Sequence, residues 1–164
     1  MVFTRADGYS KGRRLELELW SIGKSVSGET LYLEKDAAAQ YLRMVEDAAK
    51  DGITWTVNTA FRSQAEQDYL YRRYTKRLAE WEAGGMLGKR PAKAAPPGWS
   101  THQAGLSVDI NRAAGDDPAT PEPDSPVDKW LRDNAHHYGF VFDVEAEPWH
   151  ASYLPDRARR KAVA

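Results

Sequence analysis

The 164-residue chain contains no cysteine, which excludes disulfides, thiolate metal ligands and cysteine nucleophiles. Long apolar runs are missing as well: no stretch of about 20 apolar residues occurs, and the opening MVFTRADGYSKGRRLELELW lacks the roughly 7–15-residue apolar segment of a secretory signal. The expectation is a protein that does not span a membrane and is made in the cytoplasm without a recognisable signal peptide. Nor does one sign of charge dominate. Lys and Arg number 23 and Asp and Glu 24, a formal net charge of -1, which argues against a nucleic-acid partner. What remains is ordinary for a soluble globular chain, with 41% hydrophobic and 29% charged residues. The length suits about one domain, able to bury roughly 70% of its unfolded surface. A single domain is expected over 1–164, its core at roughly 13–154, with residues 1–12 and 155–164 loosely held.

Alternating Leu15, Leu17 and Leu19 predict a half-buried strand, and Leu31 to Leu33 a short second one, with a loop between them. From Asp36, a plausible cap, to Lys50 the period becomes helical, with Ala38, Tyr41, Leu42, Val45 and Ala49 on one stripe and Gly52 as its stop. Ile53 to Val57 is β-branched and aromatic, hence a strand delivering Arg62 just beyond its end. Residues 63 to about 83 read as a second helix, with Ala65, Tyr69, Leu70, Tyr74 and Leu78 near one face. Gly84 to Gly98 and Gly115 to Pro126 read as loops, Val127 to Tyr138 as a helix stopped by Gly139, and Phe140 to Phe142 as a strand. The basic run Arg157 to Lys161 reads as a solvated tail.

The chemistry gathers in Pro96 to Asn111, PPGWSTHQAGLSVDIN. His102 and Asp109 stand seven positions apart, about 23 Å if extended, whereas two ligands of one zinc ion must both come within about 2 Å of it. The chain must therefore double back, and Gly105 has the backbone freedom for it. Beyond it, Leu106, Val108 and Ile110 alternate with Ser107, Asp109 and Asn111, so Asp109 would project from a strand. Imidazole and carboxylate together suit a borderline metal such as zinc. A third ligand has one strong candidate in Glu147-Pro148-Trp149-His150, where Pro148 rules out a helical arrangement. With His150 ligating, Glu147 is left beside the ion as a base, and three ligands with an open position are the catalytic pattern. Structural zinc commonly uses the cysteine this chain lacks. His136 and His137, adjacent on a helix, point about 100° apart and cannot both face one ion.

The run Ser100-x-His102-x-x-Gly105-x-Ser107-x-Asp109 with Glu147-Pro148-Trp149-His150 resembles the zinc D-Ala-D-Ala carboxypeptidases of the vancomycin-resistance type. That group also holds cell-wall endopeptidases, phage endolysins and the hedgehog domain. Ala60-Phe61-Arg62-Ser63 with Gln67, and Trp130 to Phe140, extend the likeness over roughly 36–154; position 107 is Ser where the family more often has Ala. The resemblance implies an α+β fold, a small antiparallel sheet carrying a single zinc site and flanked by about three helices. It implies one zinc ion on His102, Asp109 and His150, with Glu147 as general base and Arg62 steadying the oxyanion. Ser100 and Gln67 would bond the substrate, and Trp149 would form a cleft wall or simply pack. The implied activity is peptidoglycan stem-peptide hydrolysis by a monomer at the cell wall, most resembling D,D-carboxypeptidases. The lack of an export signal favours instead an endolysin cutting an internal bond. A zinc-stabilised binding module without catalysis is the reading from another class.

Overall fold

Leu17 and Leu19 point inward from the middle strand of a three-stranded antiparallel sheet in the computed structural model, which describes residues 2–111 and 125–163. The strands are β1 (Phe3–Ser10), β2 (Arg13–Lys24) and β3 (Thr30–Glu34), in that order across the sheet. Residues expected to form a loose lead-in are thus a strand, paired from Phe3↔Trp20 to Ser10↔Arg13. The reason lies in the turn. Lys11 and Gly12 both take positive φ (49° and 76°), the two-residue hairpin geometry that matches strand twist. Lys-Gly is a weaker signal for it than Asn-Gly, and the polar side chains of β1 hide its alternation.

Helix α1 (Lys35–Lys50) follows β3 directly. Its cap is Glu34, whose carboxylate accepts from the N–H groups of Asp36 and Ala37, and Asp36 lies in the first turn instead of capping. The buried stripe is Ala37, Ala38, Tyr41, Met44 and Ala48, rotated about one position from the expected one, and Val45 is exposed. Alanines on that face let the helix lie close, and Met44 fills the remaining gap. Ile53 to Thr56 lie outside the strand, although the Thr56 carbonyl accepts from the Asn111 N–H at 2.9 Å; β4 is only Val57–Thr59.

Helix α2 (Gln64–Ala83) starts with a capping box in which Ser63 and Glu66 each bond the other's backbone N–H, worth about 1 kcal/mol. Its expected apolar face is not buried. Tyr69 is 59% exposed, and Gln67 is the helix's buried residue. A 3-10 turn over Thr101–Ala104 leads into β5 (Ser107–Ile110). The predicted helix from Val127 divides into α3 (Pro126–Asn134) and a second 3-10 turn over Ala135–Tyr138, ended by Gly139 at φ +83°. Strands β6 (Phe140–Val141) and β7 (His150–Tyr153) complete a second antiparallel sheet, ordered β4-β5-β7-β6. The basic end is helical, α4 (Pro155–Val163), with Ala158 fully buried and Arg157 bonded to Asp143. Four α-helices are therefore present among the described residues. The loop expected over Gly115–Pro126 falls mostly outside the described residues.

The core joins the two sheets through α1. Leu31 and Leu33, Met44, Val108 and Ile110, Leu131 and Phe140 belong to one buried cluster, and each such side chain contributes about 1.5–3 kcal/mol. This cluster lies behind β5 and β7 and makes them a stiff platform for the polar groups they carry.

Candidate metal centre

Asp109 and His150 are direct cross-strand partners on β5 and β7, so the sheet fixes their spacing. His102 reaches them from the 3-10 turn, which Gly105 ends at φ +69°. The expected reversal is therefore a helical turn closed by a left-handed glycine. Asp109 Oδ1 lies 3.3 Å from His102 Nε2 and 3.2 Å from His150 Nδ1. One donor atom from each of the three residues lies within 4.8 Å of the others. Tetrahedral donors about 2.1 Å from one ion stand about 3.4 Å apart, so these groups fit zinc in chemistry and spacing. They are also nearly dry, with His102 and His150 buried and Asp109 largely so.

His102 Nδ1 is 2.7 Å from the Ala60 carbonyl oxygen. A carbonyl only accepts, so Nδ1 carries the proton and Nε2 turns its lone pair toward Asp109. Burial alone would raise the Asp109 carboxyl. When both rings are protonated, the hydrogen bonds that His102 and His150 donate and their positive charge outweigh it and hold the group well below the usual carboxylate range; the neutral rings that a cation requires make no such bond.

Glu147 is brought in by a turn. The His150 N–H donates to the Glu147 carbonyl at 2.9 Å, and Pro148 stands at the second turn position, which its fixed φ suits. This places Glu147 Oε2 3.7 Å from His150 Nδ1, with its side chain 39% exposed. The carboxylate thus borders the centre and reaches solvent.

Arg62 follows β4, and its N–H donates to the His102 carbonyl at 3.2 Å. Burial lowers its pKa, opposed by the charges of Asp109, Glu66 and Glu147; guanidinium nevertheless stays charged. Gln67, expected to bond the substrate, lies inside the fold. It is 1% exposed, its Oε1 accepts from Arg62 Nη1 at 2.9 Å, and its Nε2 donates to the Ala95 carbonyl at 2.7 Å. Both ends are engaged, so Gln67 aims Arg62 and pins the loop before the motif. Ser100 caps the 3-10 turn by accepting from the His102 N–H at 3.3 Å and is half-buried. Trp149 is half-buried, and its carbonyl accepts from the Ile110 N–H at 2.8 Å.

An open cavity of about 540 Å³ adjoins the centre, lined by Thr59, Arg62, Ala65, Glu66, Tyr69 and Leu70. Thr59 pairs with Asp109 across β4 and β5, so the cavity and the donor cluster are neighbours. Sequence reasoning missed this use of the exposed face of α2, and it missed Gln103. The latter accepts from the Gly98 N–H and donates to Gln64 Oε1, both at 2.6 Å. It also missed Thr101 and Ser152 beside His150, because isolated hydroxyls carry no pattern. His136 and His137 pack against each other with ring centroids 4.0 Å apart and planes tilted by 40°, and they lie outside the donor cluster.

The VanY D-alanyl-D-alanine carboxypeptidase family matches residues 30–156. A D-alanyl-D-alanine carboxypeptidase of Enterococcus faecium is 29% identical over 143 residues, covering 80% of this chain and 41% of that protein. The solved structure of the LdcB LD-carboxypeptidase, described as showing peptidoglycan recognition, aligns with a TM-score of 0.68 at 27% identity, over 84% of this chain and 68% of that one. A variant of the vancomycin-resistance D,D-pentapeptidase VanY, in complex with Zn(II), shares the fold at 23% identity and a TM-score of 0.61, over 90% of this chain and 85% of that one. The chain spans less than half the length of the curated relatives it matches. With more than three quarters of its residues inside the matched region, the chain belongs to the VanY D-alanyl-D-alanine carboxypeptidase family.

Proposed function

We propose that the protein is a zinc-dependent peptidase that removes the terminal D-Ala from peptidoglycan stem peptides. The observation that carries the reading is the buried cluster of His102, Asp109 and His150, bordered by the half-exposed Glu147. These three residues would hold the ion. Bound there, zinc supplies Lewis acidity, polarising a carbonyl and lowering the pKa of a water toward about 7.

The chain's own residues supply the rest. Glu147 accepts the proton of the attacking water and returns it to the leaving amine. Arg62, held by Gln67, stabilises the negative charge that develops on the scissile oxygen. Ser100 and Trp149 line the approach, and the cavity beside Arg62 takes the peptide. Glu147 and Arg62 beside the donor cluster favour hydrolysis over a binding-only module. The reading is that of a monomer acting at the wall. No helix among the described residues is long and apolar enough to cross a membrane.

A second reading follows from the LdcB likeness, removal of the D-Ala that follows an L-centred bond. Product masses from purified muropeptides separate the readings. Loss of one alanine from pentapeptides supports the first, loss from tetrapeptides alone the second, and severed internal bonds an endolysin. Glu147→Gln should keep the metal and lower turnover by about 10²–10⁴. Unchanged turnover in that variant removes Glu147 from the mechanism.

A further inference from the structure

The two histidines of the centre are held from behind in different ways. His102 faces the Ala60 carbonyl, which accepts only. His150 Nε2 faces hydroxyls, Ser152 Oγ at 3.1 Å and Thr101 Oγ1 at 3.3 Å. Ser107 Oγ closes the group, donating to Thr101 Oγ1 at 2.7 Å and lying 3.2 Å from Ser152 Oγ. Ser107 and Ser152 are fully buried cross-strand partners on β5 and β7. Two hydroxyls against one ring nitrogen, bridged by a third, are more polar than packing requires; Ser107 and Ser152 are fully buried, and Thr101 lies at the surface.

We propose that Ser152, backed by Ser107 and Thr101, is a positioning residue that fixes which nitrogen of His150 faces the cation. The proposal rests on reading the three-donor cluster as a metal site. The direction of the chain follows from counting protons. Ser107 has one, and it goes to Thr101. Ser152 must then donate to Ser107, which leaves its lone pair for His150 Nε2. Thr101, which is exposed, can turn its own proton to solvent, so both hydroxyls can accept from Nε2, and that nitrogen carries the ring's proton. Neutral imidazole has a single N–H, so Nδ1, 3.2 Å from Asp109 Oδ1, is free to ligate. Unlike a carbonyl, hydroxyls can reverse. Break the chain and Nε2 loses its fixed acceptor, while Asp109 draws the proton to Nδ1, the form that cannot bind a cation.

The test measures zinc affinity of the full chain by chelator competition, together with the ring ¹⁵N shifts of His150 in metal-free protein followed through an alkaline pH series. The unaltered chain should take up zinc and show the proton on Nε2. Ser152→Ala should weaken zinc binding by about 10–100-fold and move the ¹⁵N signature toward Nδ1–H. Ser107→Ala should shift both in the same direction by less, which keeps the test decisive if Ser152→Ala does not fold. A purely structural role would lower the unfolding temperature without moving the ¹⁵N signature, and that result overturns the proposal. So does zinc affinity unchanged in both variants beside a zinc-binding unaltered chain. Failure of the unaltered chain to bind zinc overturns the metal reading and this proposal together.

Discussion

Replacing Gly105 by alanine should remove two separable amounts of stability. Gly105 sits at φ +69°, where an L-residue costs about 1–2 kcal/mol. A Cβ there would also lie 2.9 Å from the Glu34 nitrogen and 3.1 Å from the Glu34 Cβ. Neither neighbour gives way easily, because the Glu34 N–H donates to the Gly105 carbonyl at 2.9 Å and the Glu34 side chain caps α1. Relief requires a backbone shift, worth about 1–3 kcal/mol. The sum is about 2–5 kcal/mol. Gly52, at φ +74° with nothing within 4 Å of an added Cβ, isolates the first contribution. At about 2–4 °C per kcal/mol for a chain of this size, Gly52→Ala should lower Tm by about 2–8 °C and Gly105→Ala by about 4–20 °C. Thermal unfolding of the metal-free protein followed by circular dichroism gives both. Equal losses in the two variants would refute the claim that the turn carrying His102 is wedged against β3 and α1.

Gln67→Leu leaves Arg62 Nη1 and the Ala95 carbonyl without the partner each now has. If Arg62 acts on charge that appears only in the transition state, kcat should fall about 10-fold with KM little changed; steady-state kinetics showing a rise in KM alone would contradict that role. Burial and the Asp47 carboxylate it bonds push the Tyr138 pKa up to about 12. Folding thus favours the neutral phenol, a contribution fully present below the ordinary pKa near 10 and lost as pH rises through about 12. Urea unfolding across that window should fall less steeply for Tyr138→Phe, and parallel curves would show that Tyr138 ionises as freely as in the unfolded chain.

The donor set was readable because each ligand sits where local chemistry leaves little choice. Gly105 allows the reversal, the alternation from Leu106 makes a strand of Asp109, and Pro148 turns Glu147 back on His150. The α+β class came with the family resemblance, and the same periodicities marked out most of its strands and helices. What was hidden depends on contacts across the fold. The stripe of α1 is set by how closely alanines let it approach, a property of the partner surface. The face of α2 that carries Tyr69, Tyr74 and Leu78 at helical spacing looked apolar, yet Tyr69 is exposed and Tyr74 and Leu78 are only half-buried. A substrate role for Gln67 is implied by the family resemblance alone; only the fold reveals that Arg62 and Ala95 take its two ends. Strand β1 escaped notice because a two-residue turn, not hydrophobicity, brings it onto β2.

The most direct test of the account is a zinc titration of chelator-stripped protein, read as alanine released from a stem pentapeptide. Activity should be absent without metal, rise linearly and stop at one equivalent, and it should not return in Asp109→Ala at any zinc concentration that restores the unaltered chain. Full activity in the stripped protein, or restoration of Asp109→Ala, would contradict a reaction that depends on one ion held by His102, Asp109 and His150.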